Sequence, residues 1–326
     1  MPPVVAVVIP CYRVTRHILG VLGRMGAEVD RIYVVDDACP DRSGDFVESH
    51  CTDPRVRVLR HEDNRGVGGA VKTGYVEALR EGADIVVKLD GDGQMDPRLI
   101  PYFVEPIRRG LADYTKGNRF YDLEKIRRMP TARLLGNALL SFAAKLSTGY
   151  WNLFDVNNGY TAIHTSVLRR LPLDKVNERY FFETDMLFRL NTIRAVVIDI
   201  PMDAVYADEK SHLVIRKAAI EFGLRHLRNM FKRIAYNYFL RDMTAASFEL
   251  VLGIALLGFG VVFGAWHWWL SISTGQPASA GTVMLGALPS IVGLQLLLGF
   301  LAYDISNIPR RPIHLDLPTP LEEDVP

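Results

Sequence analysis

The sequence predicts an α/β domain with a doubly wound sheet, followed by a helical hairpin that crosses a membrane. Two observations lead to this prediction. Residues 1 to about 165 alternate short apolar runs with segments of helical periodicity, and no Asp, Glu, Lys or Arg occurs from Leu250 to Tyr303. The 38 basic and 37 acidic residues of the 326-residue chain leave a formal charge of +1, so net charge gives no reason to expect a nucleic-acid partner.

Four apolar runs in the first part of the chain have the length and composition of buried parallel strands. Turn-forming residues follow each run, and helical stripes lie between the runs, one of them formed by Ile18, Leu22 and Met25. Alternation of this kind predicts βαβ units around a parallel sheet. The four runs are Val4–Ile9, Ile32–Val35, Val56–Leu59 and Ile85–Leu89.

Carboxylates follow three of the four predicted strands. Asp36 and Asp37 come after the second run, an acidic and glycine-rich turn follows the third, and Asp90-Gly-Asp92-Gly-Gln94 follows the fourth. Turn formation or helix capping could explain any one of these acidic segments. Neither explains well why all of them lie at the edge of the sheet where such folds bind ligands. Asp90, Asp92 and Gln94 are predicted to converge on Mg²⁺ or Mn²⁺, with a substrate's phosphates completing the coordination.

Six motifs occur in a fixed order along the chain. They are Val-Val-Ile-Pro-Cys-Tyr, Val-Val-Asp-Asp-Ala-Cys-Pro-Asp, Asn-Arg-Gly-Val-Gly-Gly-Ala, Leu-Asp-Gly-Asp-Gly-Gln-Met-Asp-Pro, Gly-Asn-Arg at 117–119 and Asn-Asn-Gly-Tyr-Thr-Ala at 157–162. Together they resemble the inverting family 2 glycosyltransferases, in particular the dolichol-phosphate mannose synthases and the bacterial polyprenyl-phosphate glycosyltransferases. The resemblance covers roughly residues 3–245 and implies a GT-A (Rossmann-like) domain that binds a nucleotide sugar.

The resemblance implies roles for individual residues. Asp90, Asp92 and Gln94 would hold Mg²⁺ or Mn²⁺ against the diphosphate of the donor. The residues implied in nucleotide-sugar binding are Pro10, Tyr12, Asp36, Asp37, Gly66, Asp90 and Lys210. Those implied in receiving the acceptor phosphate are Arg119, Arg133 and Asn137, and those implied in catalysis are Asp92, Arg119 and Arg133.

Two positions depart from the family pattern. Arg13-Val14 stands where Asn-Glu usually follows Pro-x-Tyr, which leaves the base of the donor nucleotide open. Asn158-Gly159-Tyr160 replaces the usual Ser-Gly-Phe, which leaves the sugar open.

The identity of the acceptor is open between a lipid phosphate and a hydroxyl group. A polyprenyl phosphate, dolichyl or undecaprenyl, is largely anionic at pH 7 and needs positioning by cations more than a general base. A saccharide hydroxyl would need a base, for which Glu183 and Asp185 are the candidates. Both residues could equally cap the helix predicted over Met186–Thr192.

Two further alternatives are disfavoured by the motifs. A processive polysaccharide synthase would carry a Gln-x-x-Arg-Trp motif, and none of the four tryptophans stands in that context. A non-catalytic scaffold or lipid-binding partner would be expected to have lost its metal ligands, yet Asp90, Asp92 and Gln94 are all present.

The charge-free stretch contains two apolar runs, about 248–270 and 281–303, each long enough to span a bilayer. The alternative is a buried helical hairpin in a soluble protein. Gly260 and Gly264 could pack helices within one chain or between the subunits of a homo-oligomer. Basic residues flank the runs and are missing from the loop between them, which predicts that both termini lie in the cytoplasm. The flanking residues are Lys232, Arg233, Arg241, Arg310 and Arg311.

A basic amphipathic helix at the membrane surface is predicted between Lys210 and Arg241, because apolar residues recur there at steps of three and four. These are Ile220, Leu224, Leu227, Phe231, Ile234 and Tyr238. The expected organisation is a catalytic domain (1–209), interface helices (210–245), two transmembrane helices (246–304) and a cytoplasmic tail (305–326) in the cytoplasmic or inner membrane. Three unclustered cysteines agree with a reducing compartment.

Overall fold

The computed structural model describes residues 2–121, 131–203 and 215–317, and within the helices it leaves the side chains of 131–135, 137 and 215–220 undescribed. The chain divides into two compact units. The first, here called the sheet unit, comprises Met1–Met230 and Pro309–Pro326, and the second, the hairpin unit, comprises Phe231–Ile308. The boundary at residue 230 falls inside the segment predicted to form separate interface helices.

The sheet unit is built around a seven-stranded sheet. Its strands are β1 (Val5–Cys11), β2 (Arg31–Asp36), β3 (Val56–Arg60), β4 (Ile85–Lys88), β5 (Tyr114–Asn118), β6 (Thr161–His164) and β7 (Val197–Pro201). The spatial order is β3-β2-β1-β4-β6-β5-β7. Strand β6 runs antiparallel to both of its neighbours, and the other pairs are parallel.

The four apolar runs of the sequence form the parallel half of the sheet, β1 to β4. The prediction of buried strands is confirmed for β1, β2 and β4. It is wrong for β3, which lies at the edge of the sheet with all five residues at least partly exposed. Only one neighbour covers an edge strand, so its apolar residues are not enclosed on both sides.

The sheet unit contains helices, several of which pack on the two faces of the sheet. They are α1 (Ile18–Leu22), α2 (Ser43–His50), α3 (Val67–Arg80), α4 (Ile100–Arg108), α5 (Thr131–Thr148), α6 (Thr165–Leu168), α7 (Phe182–Thr192) and the part of α8 (Ile215–Ala235) up to Met230. Val7 and Ile9 of β1 share a core cluster with Ile18 and Phe103, whereas Val8 points to the opposite face. A Cβ atom at Gly74 would overlap Val8, so glycine allows α3 to lie directly on β1.

The segment that follows residue 308 docks on Asp113, which immediately precedes β5. The buried carboxylate of Asp113 accepts hydrogen bonds from the backbone N–H groups of Val196, Ile313 and His314, and lies 2.7 Å from Nδ1 of His314. The imidazole of His314 stacks on that of His164, with ring centroids 4.5 Å apart. The predicted cytoplasmic tail is therefore attached to the sheet unit up to residue 317, and residues 318–326 lie outside the described part of the chain.

Mildly acidic pH is expected to destabilise the sheet unit through two histidines, the half-buried His164 and the buried His226. Burial and the neighbouring His314 lower the pKa of His164 to about 4, and burial lowers the pKa of His226 to about 4. The unfolded chain takes up these protons near the ordinary pKa of 6.5. It therefore binds more protons than the folded chain as the pH falls from 6.5 to 4, and the free energy of unfolding decreases over that range.

Denaturant unfolding of the full-length protein in detergent at pH 7 and pH 5.5 measures this effect. The decrease should be smaller in a His226→Gln variant than in the wild type. His50→Gln, which changes an exposed ring, should behave like the wild type. The same decrease in all three proteins would contradict a role for the buried His226.

The hairpin unit contains two long apolar helices, α9 (Ala245–Thr274) and α10 (Ala280–Ser306). Both are long and apolar enough to cross a membrane, and they include the two runs that the sequence predicts as spans. Few residues in their most apolar windows are buried, 11% in α9 and 17% in α10. A helical hairpin enclosed in the core of a soluble protein would bury most of these residues, so the structure does not support that alternative.

Glycines line the seam between α9 and α10. A Cβ at Gly260 would overlap Ser290, and one at Gly293 would overlap the backbone nitrogen of Leu257. Gly264 lies opposite Gly286 across the same seam. Gly260 and Gly264, predicted to pack helices within or between subunits, therefore pack within one hairpin.

Replacing Gly293 with leucine should destabilise the hairpin unit, because the new side chain would meet backbone atoms that cannot move aside. Overpacking of this kind costs about 1–3 kcal/mol or more. Gly258→Leu is the matched control, since nothing lies within 4 Å of a Cβ at that position of α9. Thermal unfolding in detergent should show a clear loss for Gly293→Leu and little change for Gly258→Leu. Equal stability of the two variants would contradict the described seam.

A buried ion pair joins the start and the end of the hairpin unit. The guanidinium of Arg233 forms a bidentate contact with Asp304, at 2.6 and 3.0 Å, and Tyr238 donates a hydrogen bond to the same carboxylate at 2.6 Å. All three side chains are buried. Arg233 was predicted to be one of the basic residues flanking the first span. Its charge is instead neutralised by Asp304, one residue beyond the charge-free stretch.

The apolar face predicted for the amphipathic helix divides between the two units. Leu224 and Leu227 of α8 are exposed on the sheet unit, and Phe231 is exposed on the hairpin unit. Ile234 and Tyr238 instead pack into a small core of the hairpin unit. The side chain of Ile220 lies outside the described part of the chain. Three predicted apolar positions are therefore exposed, and two are used inside the protein.

Candidate active site

Predicted site residues from several strands lie at one edge of the sheet. The carboxyl ends of β2, β1 and β4 are neighbours there, which places the turns containing Asp37, Tyr12 and Asp90 side by side. Strand β5 runs in the same direction as β4, because both are antiparallel to β6. Arg119 follows β5, and Gly159 precedes β6, so both lie at this edge as well.

The segment Asp90–Gln94 forms a tight turn directly after β4. Gly93 has φ +79°, a conformation that other residues rarely adopt, and the backbone N–H of Gln94 donates to the Asp92 carboxylate at 2.9 Å. Oδ1 of Asp90 is buried and lies 2.9 Å from the ammonium of Lys88. The turn thus places two carboxylates and one amide within five residues of the chain.

The chemistry of these side chains fits a hard divalent cation. Mg²⁺ and Mn²⁺ prefer oxygen ligands, and they often use only one or two carboxylates when phosphates supply the rest. Within the described residues, no group of three or more His, Cys, Asp and Glu side chains could hold a metal on its own. Asp90, Asp92 and Gln94 would therefore make an incomplete shell that a bound diphosphate completes.

The two carboxylates after β2 are occupied by backbone hydrogen bonds. Asp36 accepts from the N–H groups of Cys39 and Gly44, at 2.7 and 2.6 Å. Asp37 accepts from Arg65 and Gly66, at 2.8 and 2.7 Å, and its Oδ1 also lies 2.7 Å from Nδ1 of His61. Both side chains are buried and shape the turns of this edge. Direct contact between either carboxylate and a nucleotide stays a prediction.

The other residues predicted to bind the nucleotide line the same edge. Tyr12 is 46% exposed beyond β1, and the guanidinium carbon of Arg13 lies 5.5 Å from its ring centroid. Pro10 is half-buried within β1. Gly66 precedes α3 with φ +87°, and a Cβ there would lie 2.6 Å from the carbonyl oxygen of Glu178. Lys210 lies outside the described residues.

Arg119, the residue predicted to receive the acceptor phosphate, is held by a buried carboxylate. Its Nε and Nη2 atoms bond to Asp155 at 2.7 and 2.9 Å, and its backbone N–H donates to the same side chain. Burial would raise the pKa of Asp155, but the guanidinium of Arg119 outweighs it and holds that pKa below its ordinary value. Asp155 therefore fixes the direction of Arg119 at this edge.

Arg133 and Asn137, also predicted to bind the acceptor phosphate, lie on α5 (Thr131–Thr148). Four positions separate them, so they occupy the same face of the helix. Their side chains are outside the described part of the structure. Their distance from Arg119 stays a prediction.

Lys88 is a member of the site that the sequence interpretation missed. Its side chain is 1% exposed, and its ammonium lies 2.9 Å from Oδ1 of Asp90 and 3.1 Å from Oε1 of Glu183. Burial alone would lower the pKa of Lys88, but the two carboxylates outweigh it, so the pKa lies above its ordinary value. A lysine inside an otherwise apolar strand requires a counter-ion, and this signal could have identified the residue.

Glu183 and Asp185, the candidate bases, both have partners. Glu183 pairs with Lys88, as described above. Asp185 accepts hydrogen bonds from the backbone of Asn177 and from the side chains of Arg189 and Asn229. Both lie in the first turn of α7 (Phe182–Thr192), which begins four residues earlier than predicted.

Residues 6–172 match the family described as Glycosyl transferase family 2. The chain is 32% identical over 205 residues to the undecaprenyl-phosphate mannosyltransferase of Micrococcus luteus, covering 62% of this chain and 83% of that protein. It is 27% identical over 201 residues to the polyprenol monophosphomannose synthase of Mycolicibacterium smegmatis, covering 60% of this chain and 75% of that protein.

A likeness to solved structures concerns the fold alone. Glucosyl-3-phosphoglycerate synthase from Mycobacterium tuberculosis, in complex with Mn²⁺, UDP and glucosyl-3-phosphoglycerate, superposes with a TM-score of 0.51 at 18% identity, covering 71% of this chain and 80% of that one. Mannosyl-3-phosphoglycerate synthase from Rubrobacter xylanophilus superposes with a TM-score of 0.53 at 16% identity, covering 74% of this chain and 77% of that one.

Proposed function

Because the chain belongs to glycosyltransferase family 2, we propose that it transfers a sugar from a nucleotide-diphosphate donor to a polyprenyl phosphate at the cytoplasmic face of a membrane, with inversion at the sugar. One observation carries this proposal. The same chain has the Asp90–Gln94 turn at the ligand-binding edge of its sheet and two apolar helices of membrane-spanning length. The names of its relatives from Micrococcus luteus and Mycolicibacterium smegmatis, which specify undecaprenyl phosphate and polyprenol, support a lipid acceptor.

In this proposal, the turn after β4 binds the donor through its diphosphate. Asp90, Asp92 and Gln94 would hold Mg²⁺ or Mn²⁺, which supplies positive charge to stabilise the nucleoside diphosphate as it leaves. Tyr12 and Gly66, on neighbouring loops, would border the nucleotide. Metal complexes of the solved neighbours, such as the Mn²⁺ and UDP complex of the Mycobacterium tuberculosis synthase, are consistent with this assignment.

The acceptor would be positioned by cations and would need no general base. A phosphate monoester is largely ionised at pH 7 and can attack the sugar directly once it is oriented. Arg119, whose direction is fixed by Asp155, would bind its oxygens together with Arg133 and Asn137. Glu183 pairs with Lys88 and Asp185 with Arg189, and a phosphate acceptor requires neither carboxylate as a base.

The membrane orientation follows from flanking charge in this proposal. Lys232 and Arg241 precede the first span, and Arg310 and Arg311 follow the second, whereas the connecting loop has no basic residue. Arg233 is left out of this count because Asp304 neutralises it. The positive-inside rule would then place both ends of the hairpin, and the sheet unit, in the cytoplasm.

Transfer from radiolabelled nucleotide sugars tests the proposed acceptor. Full-length protein in detergent is incubated with Mn²⁺, labelled GDP and UDP sugars, and either undecaprenyl or dolichyl phosphate, or the corresponding free alcohols. The proposal expects chloroform-soluble label with a lipid phosphate and none with the alcohols. Labelling of an added saccharide, with no labelled lipid from any donor, would overturn it.

A further inference from the structure

The buried ammonium of Lys88 connects the predicted metal-binding turn to a separate helix through two ion pairs. Lys88 is the last residue of β4, and Asp90 follows two positions later, with Oδ1 2.9 Å from the Lys88 ammonium. The second carboxylate in contact with Lys88, Glu183, stands in the first turn of α7. One ammonium thus lies between a predicted metal ligand and a helix that is remote in sequence.

Gly159 provides the space that this arrangement needs. A Cβ atom at position 159 would overlap Nζ of Lys88 and lie 2.8 Å from Oδ2 of Asp90. Lys88 and the Gly159 backbone therefore enclose the Asp90 carboxylate from two sides. A side chain with a charged neighbour on one side and backbone on the other has few alternative rotamers.

Two roles for Lys88 are compatible with its burial. It could serve only as the counter-ion of Glu183, whose side chain is 12% exposed and would otherwise be a poorly solvated charge. It could also orient Asp90, which is 29% exposed and could turn toward solvent without a fixed partner. The contact with Asp90 is shorter than the contact with Glu183, and the space at Gly159 extends around both Lys88 and Asp90.

We propose that Lys88 is a positioning residue for sugar transfer, which fixes the Asp90 carboxylate in the orientation that binds the cation of the donor complex. The inference rests on the proposed function, since it takes Asp90 as a metal ligand. Glu183 is then the anchor that holds Lys88 in place, and its pairing explains why a carboxylate at this position need not act as a base. Partners that orient a metal ligand affect metal affinity roughly 10- to 100-fold.

A double-variant experiment separates the two roles. Lys88→Met removes the ammonium and keeps most of the side-chain volume, and Glu183→Gln removes the charge of the anchor. The combined Lys88→Met/Glu183→Gln variant removes both charges of that pair. It leaves no unpaired charge on Glu183, so it can be tested even if the single Lys88 variant does not fold. Thermal unfolding of the full-length protein reports stability, and electron paramagnetic resonance reports Mn²⁺ binding in the presence of UDP or GDP.

The proposal expects the double variant to unfold close to the wild-type temperature but to bind Mn²⁺ with the nucleotide at least about tenfold more weakly. Glu183→Gln alone should bind Mn²⁺ more tightly than the double variant, because the contact between Lys88 and Asp90 remains. Wild-type or tighter Mn²⁺ binding in the double variant would overturn the proposal, and would make Lys88 only a counter-ion.

The binding measurement needs no acceptor, so it also separates this inference from the proposed function. If wild-type protein binds Mn²⁺ with a nucleotide and the double variant does not, the role of Lys88 holds even when no lipid is labelled. If wild-type protein binds no Mn²⁺ with either nucleotide, both the metal role of Asp90 and the inference are wrong. If the wild-type protein labels the lipid and the double variant binds Mn²⁺ as the wild type does, the inference about Lys88 is wrong and the proposed function stands.

Discussion

Replacing Asp92 with alanine is expected to lower the rate of sugar transfer by about 10³-fold while leaving the protein folded. The carboxylate is half-buried, and one of its contacts is a hydrogen bond from the backbone of Gln94 within the same turn. Its loss should therefore cost little stability. The rate should fall because a hard cation would lose an anionic ligand where charge develops on the leaving diphosphate.

Two matched variants make the result specific. Asp92→Asn retains an oxygen that can accept the hydrogen bond of the turn but has no charge, and it should be nearly as inactive as Asp92→Ala. Asp96→Asn changes a carboxylate in the same segment that pairs with Arg98, and it should keep most of the activity. Transfer of label to lipid and thermal unfolding are measured for each. Full activity of Asp92→Ala with normal folding would remove Asp92 from the metal site.

Replacing Arg119 with alanine is expected to lower transfer to the lipid phosphate by about 10²-fold, with donor binding unchanged. The guanidinium is held by Asp155 at the edge of the sheet that also carries the Asp90–Gln94 turn. Its loss removes a cation that would orient the acceptor. It also leaves the buried Asp155 carboxylate without its main partner, which should cost about 2 kcal/mol of stability.

The stability effect can be separated from the effect on transfer. Arg119→Ala combined with Asp155→Asn removes both charges, and should recover part of the lost stability without recovering transfer. Thermal stabilisation by nucleotide with Mn²⁺ reports donor binding, and the KM for lipid phosphate reports the acceptor. A double variant that regains wild-type transfer would show that Arg119 serves only to neutralise Asp155.

The parallel half of the sheet was predictable from the sequence because its signals are local. The runs that form β1, β2 and β4 are apolar and lie between turn residues, and the Asp90–Gln94 turn follows the last of them directly. Strand β5 gave no such signal, since its residues Tyr-Thr-Lys-Gly-Asn are mostly polar. Its buried Lys116 is compensated by Asp199 on β7, a pairing across 83 residues that no local pattern reveals.

The partners of several charged residues could not be predicted from their position along the chain. The resemblance implies that Asp36 and Asp37 bind the nucleotide, which stays a prediction, and the structure adds that their carboxylates accept hydrogen bonds from backbone N–H groups of neighbouring turns. Arg233 is one of the basic residues that flank the first predicted span, and its guanidinium pairs with Asp304, 71 residues away. Position along the chain predicted where these residues lie, whereas their partners depend on tertiary packing.

Sugar transfer to the lipid phosphate can be followed directly by ³¹P NMR of a reaction that contains full-length protein, Mn²⁺, the active nucleotide sugar and undecaprenyl or dolichyl phosphate. We expect the lipid phosphate monoester signal to be replaced by a sugar phosphodiester signal, with one nucleoside diphosphate released for each diester formed. Release of nucleoside diphosphate with the lipid monoester unchanged, and the sugar recovered on water or on a hydroxyl group, would contradict this expectation.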